Sequence, residues 1–136
     1  MRIRNTIKYI FKLIIVGTLV APTISISGEV DCLANAIHHE ARGESYLGKV
    51  AVAHTIINRV HSHRYPNTIC RVVNQSGQFT GYRLYSVIPQ ETRNIANKVL
   101  SGSSVDPTNG ALYFHVYTGR GRGTIIGNHI FYRNSK

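Results

Sequence analysis

The stretch Ala111-Leu112-Tyr113-Phe114-His115-Val116-Tyr117 decides the fold, because the spacing of apolar residues changes character there. Aromatic and β-branched side chains crowd together, as they do again at His129-Ile130-Phe131-Tyr132, and both runs read as strands. Between them, Gly119-Arg120-Gly121-Arg122-Gly123 reads as a flexible basic turn. Upstream the apolar residues recur at helical spacing instead. Residues 31–41 predict a short helix with Asp31 as N-cap, Leu33, Ala36, Ile37 and Glu40 on one stripe, and Gly43 as its stop. A second helix is expected from Ser45 or Tyr46 to about Val60, with Val50, Ala53, Ile57 and Val60 facing inward and Lys49, Asn58 and Arg59 off that face. Residues 68–73 suggest one or two helical turns, and residues 78–82 a loop or short extended segment. Pro89 opens another helix that runs to Leu100, with Gly102 ending it. The Ser-, Gly-, Asp-, Pro- and Asn-rich residues 101–110 form a loop. Helices first and a small antiparallel sheet near the C-terminus give an α+β domain, without the βαβ alternation of a parallel sheet.

The first 27 residues have a different composition. Arg2, Arg4, Lys8 and Lys12 lead into an uncharged, mostly apolar run, which ends in the small-residue pattern Ser25-Ile26-Ser27. That is the layout of a signal peptide over residues 1–27, followed by a single domain over 28–136 and an exported location, in the periplasm, the envelope or the medium. An uncleaved membrane anchor is the alternative. A bilayer-spanning helix needs about 20 apolar residues, and Pro22, Thr18, Thr23, Ser25 and Ser27 interrupt this one.

The 136 residues hold sixteen Lys and Arg against six Asp and Glu, and removing the four basic residues of the leader leaves the excess in place. A persistent positive field attracts polyanions, and after export these are anionic envelope polymers rather than nucleic acid. A monomer is expected. Cys32 and Cys70 are the only cysteines. An oxidising compartment predicts a disulfide between them, against the alternative of two buried free thiols. The bridge would close roughly 40 residues of chain and stabilise by about 4 kcal/mol in the chain-entropy model.

In so acid-poor a chain, the run His38-His39-Glu40-Ala41-Arg42-Gly43-Glu44 stands out for its two carboxylates. On spacing, Glu40 falls on the buried stripe of the first helix. A carboxylate leaning into an apolar wall holds its proton toward neutral pH and can act as a general acid. The alternative is a Glu at a helix end that turns to solvent or pairs with Arg42 or Lys49. Glu44 sits where a helix start favours negative charge, and a helper role at a water or sugar hydroxyl is its other reading. His39-Glu40 opens like a zinc-protease motif, but Gly43 occupies the place of the second ligand, so neither metal nor cofactor is implied. Tyr113, His115, Tyr117 and Tyr132 suit either a stacking wall for sugars or half-buried strands with one wet face.

Taken in order, Cys32-Leu33-Ala34, His39-Glu40-Ala41-Arg42-Gly43-Glu44, Gly48-Lys49-Val50-Ala51-Val52-Ala53 and Asn58-Arg59-Val60 resemble the cell wall hydrolase family of the spore-cortex-lytic type. The resemblance continues through Tyr65-Pro66-Asn67-Thr68-Ile69-Cys70, Gln78-Phe79-Thr80, Gly110-Ala111-Leu112-Tyr113-Phe114-His115 and Ile126-Gly127-Asn128-His129-Ile130-Phe131-Tyr132. It implies a lysozyme-like fold and a lytic transglycosylase. Such an enzyme cuts peptidoglycan glycan strands between N-acetylmuramic acid and N-acetylglucosamine. The family's catalytic acid falls on Glu40, and Glu44, Gln78, Phe79, Tyr113 and His115 would bind substrate. Many relatives carry Trp after the Gln-Phe motif and ahead of the Ile-Gly segment; this chain has none, and offers Tyr82 and the 119–123 loop instead.

Chemistry supports the implied reaction. Ordinary glycosidases need two carboxylates, about 5 Å apart for retention or roughly 6.5–9.5 Å for inversion. A transglycosylase can use one, because the muramoyl 6-hydroxyl is the nucleophile. Glu44 is the only credible second acid, and it would serve a muramidase. The remaining rivals are a non-catalytic basic module that binds envelope polymers and a zinc-dependent amidase.

Overall fold

The computed structural model describes residues 25–76 and 87–134. Most of the expected leader, and Gln78, Phe79 and Tyr82 with it, lie outside the described residues. Four helices precede a three-stranded sheet: α1 (Ile26–Ala41), α2 (Tyr46–Val60), α3 (Ile69–Val73), α4 (Gln90–Leu100), β1 (Tyr113–Val116), β2 (Thr124–Ile126) and β3 (His129–Tyr132).

Helix α1 is the hub, packing against α2, α3 and α4. Leu33, Ala34, Ala36 and Ile37 are all fully buried, so the single stripe expected of this helix is an envelope on several sides. The helix also begins earlier than Asp31. Ser25 takes the N-cap position without a side-chain capping bond, and residues 26 and 27 form its first turn. Long-range ties hold this extension. Glu29 accepts the backbone N–H of Ile69 at 2.6 Å, and Cys32 is bridged to Cys70 with a Cα–Cα distance of 5.2 Å. Both fasten α1 to the start of α3. Asp31 does not cap; it pairs with Arg93 of α4.

The other helices follow their local signals. Ser45 caps α2 by accepting from Gly48 N–H at 3.3 Å, and Thr68 caps α3 on Arg71 N–H at the same distance. Pro89 precedes α4, and Gly102 ends it with φ +73°.

The sheet order is β1-β3-β2, all antiparallel. The short edge strand β2 was not expected; it emerges from the glycine-rich turn. Strand alternation sends Phe114, Phe131, His129 and Ile126 to the face that meets the helices. Phe131 is buried there, stacked on Phe114 at 5.7 Å between ring centroids. The opposite face carries Tyr113, His115, Ile130, Tyr132 and Ile125. Ile130 is nevertheless only 1% exposed, because the 119–123 segment folds back over it rather than standing free as a flexible turn. Glycine makes that approach possible, since a Cβ on Gly123 would lie 2.3 Å from the carbonyl oxygen of Phe131.

Candidate functional site

Glu40 lies in the last turn of α1, beside Ala41, which is buried in the core. Its side chain is 22% exposed, so the carboxylate is not sealed behind an apolar wall. Its partner is neither Arg42 nor Lys49. His39 Nδ1 meets Glu40 Oε1 at 2.8 Å, and since a carboxylate only accepts, that ring nitrogen carries the proton. Lys49 instead pairs with Glu91 of α4.

Glu44 is placed differently. Its side chain is 8% exposed and reaches from the start of α2 to the turn between β2 and β3. Oε2 accepts the backbone N–H of Asn128 at 3.1 Å, Oε1 accepts Asn128 Nδ2 at 3.0 Å, and His129 Nδ1 lies 3.5 Å from Oε1. The turn is shaped to receive it, because Gly127 has φ +59° and a Cβ there would fall 2.0 Å from Oε2. Glu44 is a strut between helix and sheet.

Arg59, expected off the inner face of α2, is 4% exposed. Its Nε donates to the carbonyl of Leu112 at 2.7 Å, and the guanidinium lies over the ring of Tyr65. Burial pushes its pKa below the ordinary arginine value, against the pull of Tyr65, Tyr113, Glu40 and Tyr132. Arg59 is therefore the charge that links Glu40 to the tyrosines of the sheet. Tyr65 hydrogen-bonds Tyr113, and burial with that bond raises its pKa despite Arg59 and Arg64. Tyr113 stacks on Tyr132 with centroids 5.4 Å apart, and His115 meets Tyr132 edge-on at 5.5 Å. Of the residues named from sequence, Tyr113 and His115 thus share one sheet face and Tyr113 lies within the Arg59 cluster; Gln78 and Phe79 are outside the described residues.

The sequence reading missed a second hub. Asp106, in the 101–110 loop, accepts from Asn58 Nδ2, Thr108 N–H, Thr108 Oγ1 and Gly110 N–H at 2.7–2.9 Å. Burial alone would raise its pKa, but these hydrogen bonds outweigh it and hold the carboxyl below its ordinary value. Beside it His54, 8% exposed, meets Ser104 Oγ through Nε2 at 3.0 Å, and burial lowers its pKa against the pull of Asp106. The hub locks the 101–110 loop onto α2. Among the described residues, no three His, Cys, Asp or Glu side chains converge as metal ligands.

The pattern of helices, sheet and clustered residues can be set beside known proteins. A family model described as Cell Wall Hydrolase matches residues 43–132, two thirds of the chain. The chain belongs to the cell wall hydrolase family. Among its relatives, the spore cortex-lytic enzyme of Bacillus cereus is 42% identical over 90 residues, covering 63% of this chain and 34% of that protein. The spore cortex-lytic enzyme of Bacillus subtilis (strain 168) is 34% identical over 89 residues, covering 65% and 29%. The chain thus spans about a third of the length of the curated relatives it matches. Two solved structures share its fold. One is the catalytic domain of the germination-specific lytic transglycosylase SleB from Bacillus anthracis, with TM-score 0.71, 32% identity and coverage of 84% of this chain and 100% of that one. The other is the catalytic domain of the Bacillus cereus SleB protein, with TM-score 0.70, 34% identity and coverage of 85% and 97%. This cell wall hydrolase has the lysozyme-like α+β fold expected of it. Glu44 lies within the stretch matched by the family model, and Glu40 lies just ahead of it.

Proposed function

We propose that the chain is a peptidoglycan-cleaving lytic transglycosylase in which Glu40 is the single catalytic acid. One observation carries this reading. Five of the six carboxylates tie separate parts of the fold together: Glu29 joins α1 to α3, Asp31 joins α1 to α4, Glu91 joins α4 to α2, Glu44 joins α2 to the sheet, and Asp106 joins a loop to α2. Among the described residues Glu40 hydrogen-bonds only to its sequence neighbour, and its tie to Arg59 of α2 is electrostatic. A partly exposed acid that no hydrogen bond commits to a distant element is the residue free for chemistry.

In this mechanism His39 holds Oε1 and leaves Oε2 to face the glycosidic oxygen between N-acetylmuramic acid and N-acetylglucosamine. Glu40 gives its proton to the leaving oxygen as the C1–O bond breaks. As a carboxylate it then takes the proton of the muramoyl 6-hydroxyl, whose oxygen closes on C1 to form a 1,6-anhydromuramoyl end. The tyrosines of the sheet and His115 line the groove, with Gln78 and Phe79 expected beside them. The basic surface would hold the enzyme on anionic envelope polymers after export, with residues 1–27 as signal or anchor.

Mass analysis of muropeptides from digested peptidoglycan tests the reaction. Anhydro ends, lighter than reducing ends by one water, are expected. Reducing ends would make the enzyme a muramidase and return Glu44 to the chemistry. Glu40→Gln should lose about 10²–10⁴-fold in rate, the usual contribution of a general acid. A folded Glu40→Gln protein with full activity would remove Glu40 from the role. Binding to sacculi that weakens with salt, with no cleavage by either protein, would favour the non-catalytic module.

A further inference from the structure

The outer face of the sheet carries a pocket of about 380 Å³, lined by His115, Tyr132, Ile130, Arg120, Arg122 and Arg133 among others. Its charge is unbalanced. All six Asp and Glu of the chain have partners elsewhere, and none lines the pocket. Arg133 is anchored, its Nε donating to Asn109 O at 2.6 Å, whereas Arg120 and Arg122 make no hydrogen bond or ion pair among the described residues. Both arginines stand on the glycine-rich segment that packs over Ile130, and both line the pocket. His115 adds a further group. Its Nδ1 lies 2.7 Å from the carbonyl of Val116, which can only accept, so Nδ1 carries the proton and Nε2, an acceptor in the neutral ring, is left to take a peptide N–H beside the carboxylate.

The pocket also has a definite address. Tyr132, in its wall, stacks on Tyr113, and Tyr113 bonds to Tyr65 beside the Arg59 guanidinium that senses Glu40. A ligand here therefore lies at one end of the proposed cleavage groove, against His115 and Tyr132 on the same sheet face. The glycan backbone of peptidoglycan bears no free acid where its lactyl groups are amidated, so the anions close to the scissile bond are the carboxylates of the stem peptide. A guanidinium is the side-chain group that recognises a carboxylate in fork geometry, and this pocket has three arginines in its lining.

We propose that the pocket bounded by Arg120, Arg122, His115 and Tyr132 is a subsite for a stem-peptide carboxylate, so that the enzyme prefers glycan strands still carrying their peptides. The subsite rests on the proposed reading of the reaction for its biological use, and its binding chemistry can be measured separately.

The first arm titrates the full protein with a synthetic stem tetrapeptide and follows amide and side-chain NMR shifts. Saturable shifts are expected at His115, Gly121 and Tyr132. They should vanish in Arg120→Gln/Arg122→Gln, which alters exposed side chains and should leave the melting temperature unchanged, and also when the peptide carboxylates are amidated. The second arm compares kcat/KM on peptide-bearing strands and on the same strands with their peptide carboxylates amidated, since stripping by an amidase would uncover lactyl carboxylates. The double variant should lose about tenfold or more on the former, through KM, and nothing on the latter, as expected for loss of charge-assisted hydrogen bonds. Equal loss on both substrates, or no saturable shifts with the peptide, overturns the subsite. So does tighter binding of poly(glycerol phosphate) than of the peptide, which would make the pocket a site for wall phosphodiesters. If neither strand is cleaved, the reaction assignment fails while the titration still decides the subsite.

Discussion

Replacing Glu44 with Ala should cost stability first and activity only in consequence. The side chain is 8% exposed and accepts two hydrogen bonds from Asn128, with His129 close by. Hydrogen bonds to a charged group contribute about 1.5–3 kcal/mol each, and two that end on one residue are not independent. A loss of about 3 kcal/mol is expected. For a domain near 100 residues that lowers the melting temperature by roughly 12–24 °C, at about 4–8 °C per kcal/mol. Glu44→Gln keeps one acceptor oxygen but turns an amide N–H₂ toward a donor, so about half that loss should follow. Gly127→Ala provides an independent check. Its Cβ would fall on Oε2, and a non-glycine residue at φ +59° costs a further ~1–2 kcal/mol, so this change, which leaves the carboxylate intact, should destabilise comparably. The assay is urea unfolding with the disulfide intact, beside peptidoglycan clearance at a temperature where each variant is folded. If Glu44→Ala unfolds within about 0.5 kcal/mol of the parent yet loses a hundredfold in activity, the strut assignment is wrong. Glu44 would then be a second chemical carboxylate, and the argument for a single acid would fall with it.

Two further outcomes follow from the same accounting of partners. Replacing Cys32 and Cys70 together with Ala should cost about 4 kcal/mol, the chain-entropy value for a bridge spanning 38 residues, and free the first turn of α1; a loss under about 1 kcal/mol in urea unfolding would mean that the Glu29–Ile69 bond holds that turn alone. Stability should also fall with pH in two stages. His54 is held neutral in the fold below its ordinary pKa of about 6.5, so its contribution is complete above that value and declines as pH drops through the lowered one. Asp106, held below the ordinary carboxylate range, contributes fully above about pH 4 and loses that contribution only in stronger acid. His54→Gln should remove the upper stage of the urea midpoint profile and Asp106→Asn the lower; a His54→Gln profile parallel to the parent between pH 7 and 5 would contradict the first assignment.

What the sequence made legible was local. Ser45 and Gly102 mark real helix boundaries because caps act within one turn, and the aromatic runs mark β1 and β3 because alternation is read over four residues. What it concealed depends on distant partners. The start of α1 at Ile26 is tied to Ile69, and neither Gly28 nor Val30 announces a helix. Arg59 reads as a surface residue until Leu112 supplies a carbonyl across the molecule. Strand β2 has three residues, and its partner β3 gives it identity. Glu40 falls on the stripe that spacing predicts, yet its side chain is 22% exposed while the adjacent Ala41 is buried, because spacing gives a direction around the helix axis and not the depth of cover over each residue.

This division bears on function. In a chain with six carboxylates, the five that span elements should each cost stability when neutralised, whereas Glu40 should not, since its hydrogen bond goes to the adjacent His39. A functional acid is commonly kept at some expense to the fold, so Glu40→Gln should melt at or slightly above the parent temperature while cleavage disappears. A drop of more than about 5 °C would show that Glu40 holds the fold together like the other five. The acid would then have to be sought in a group whose loss leaves the melting temperature where it was.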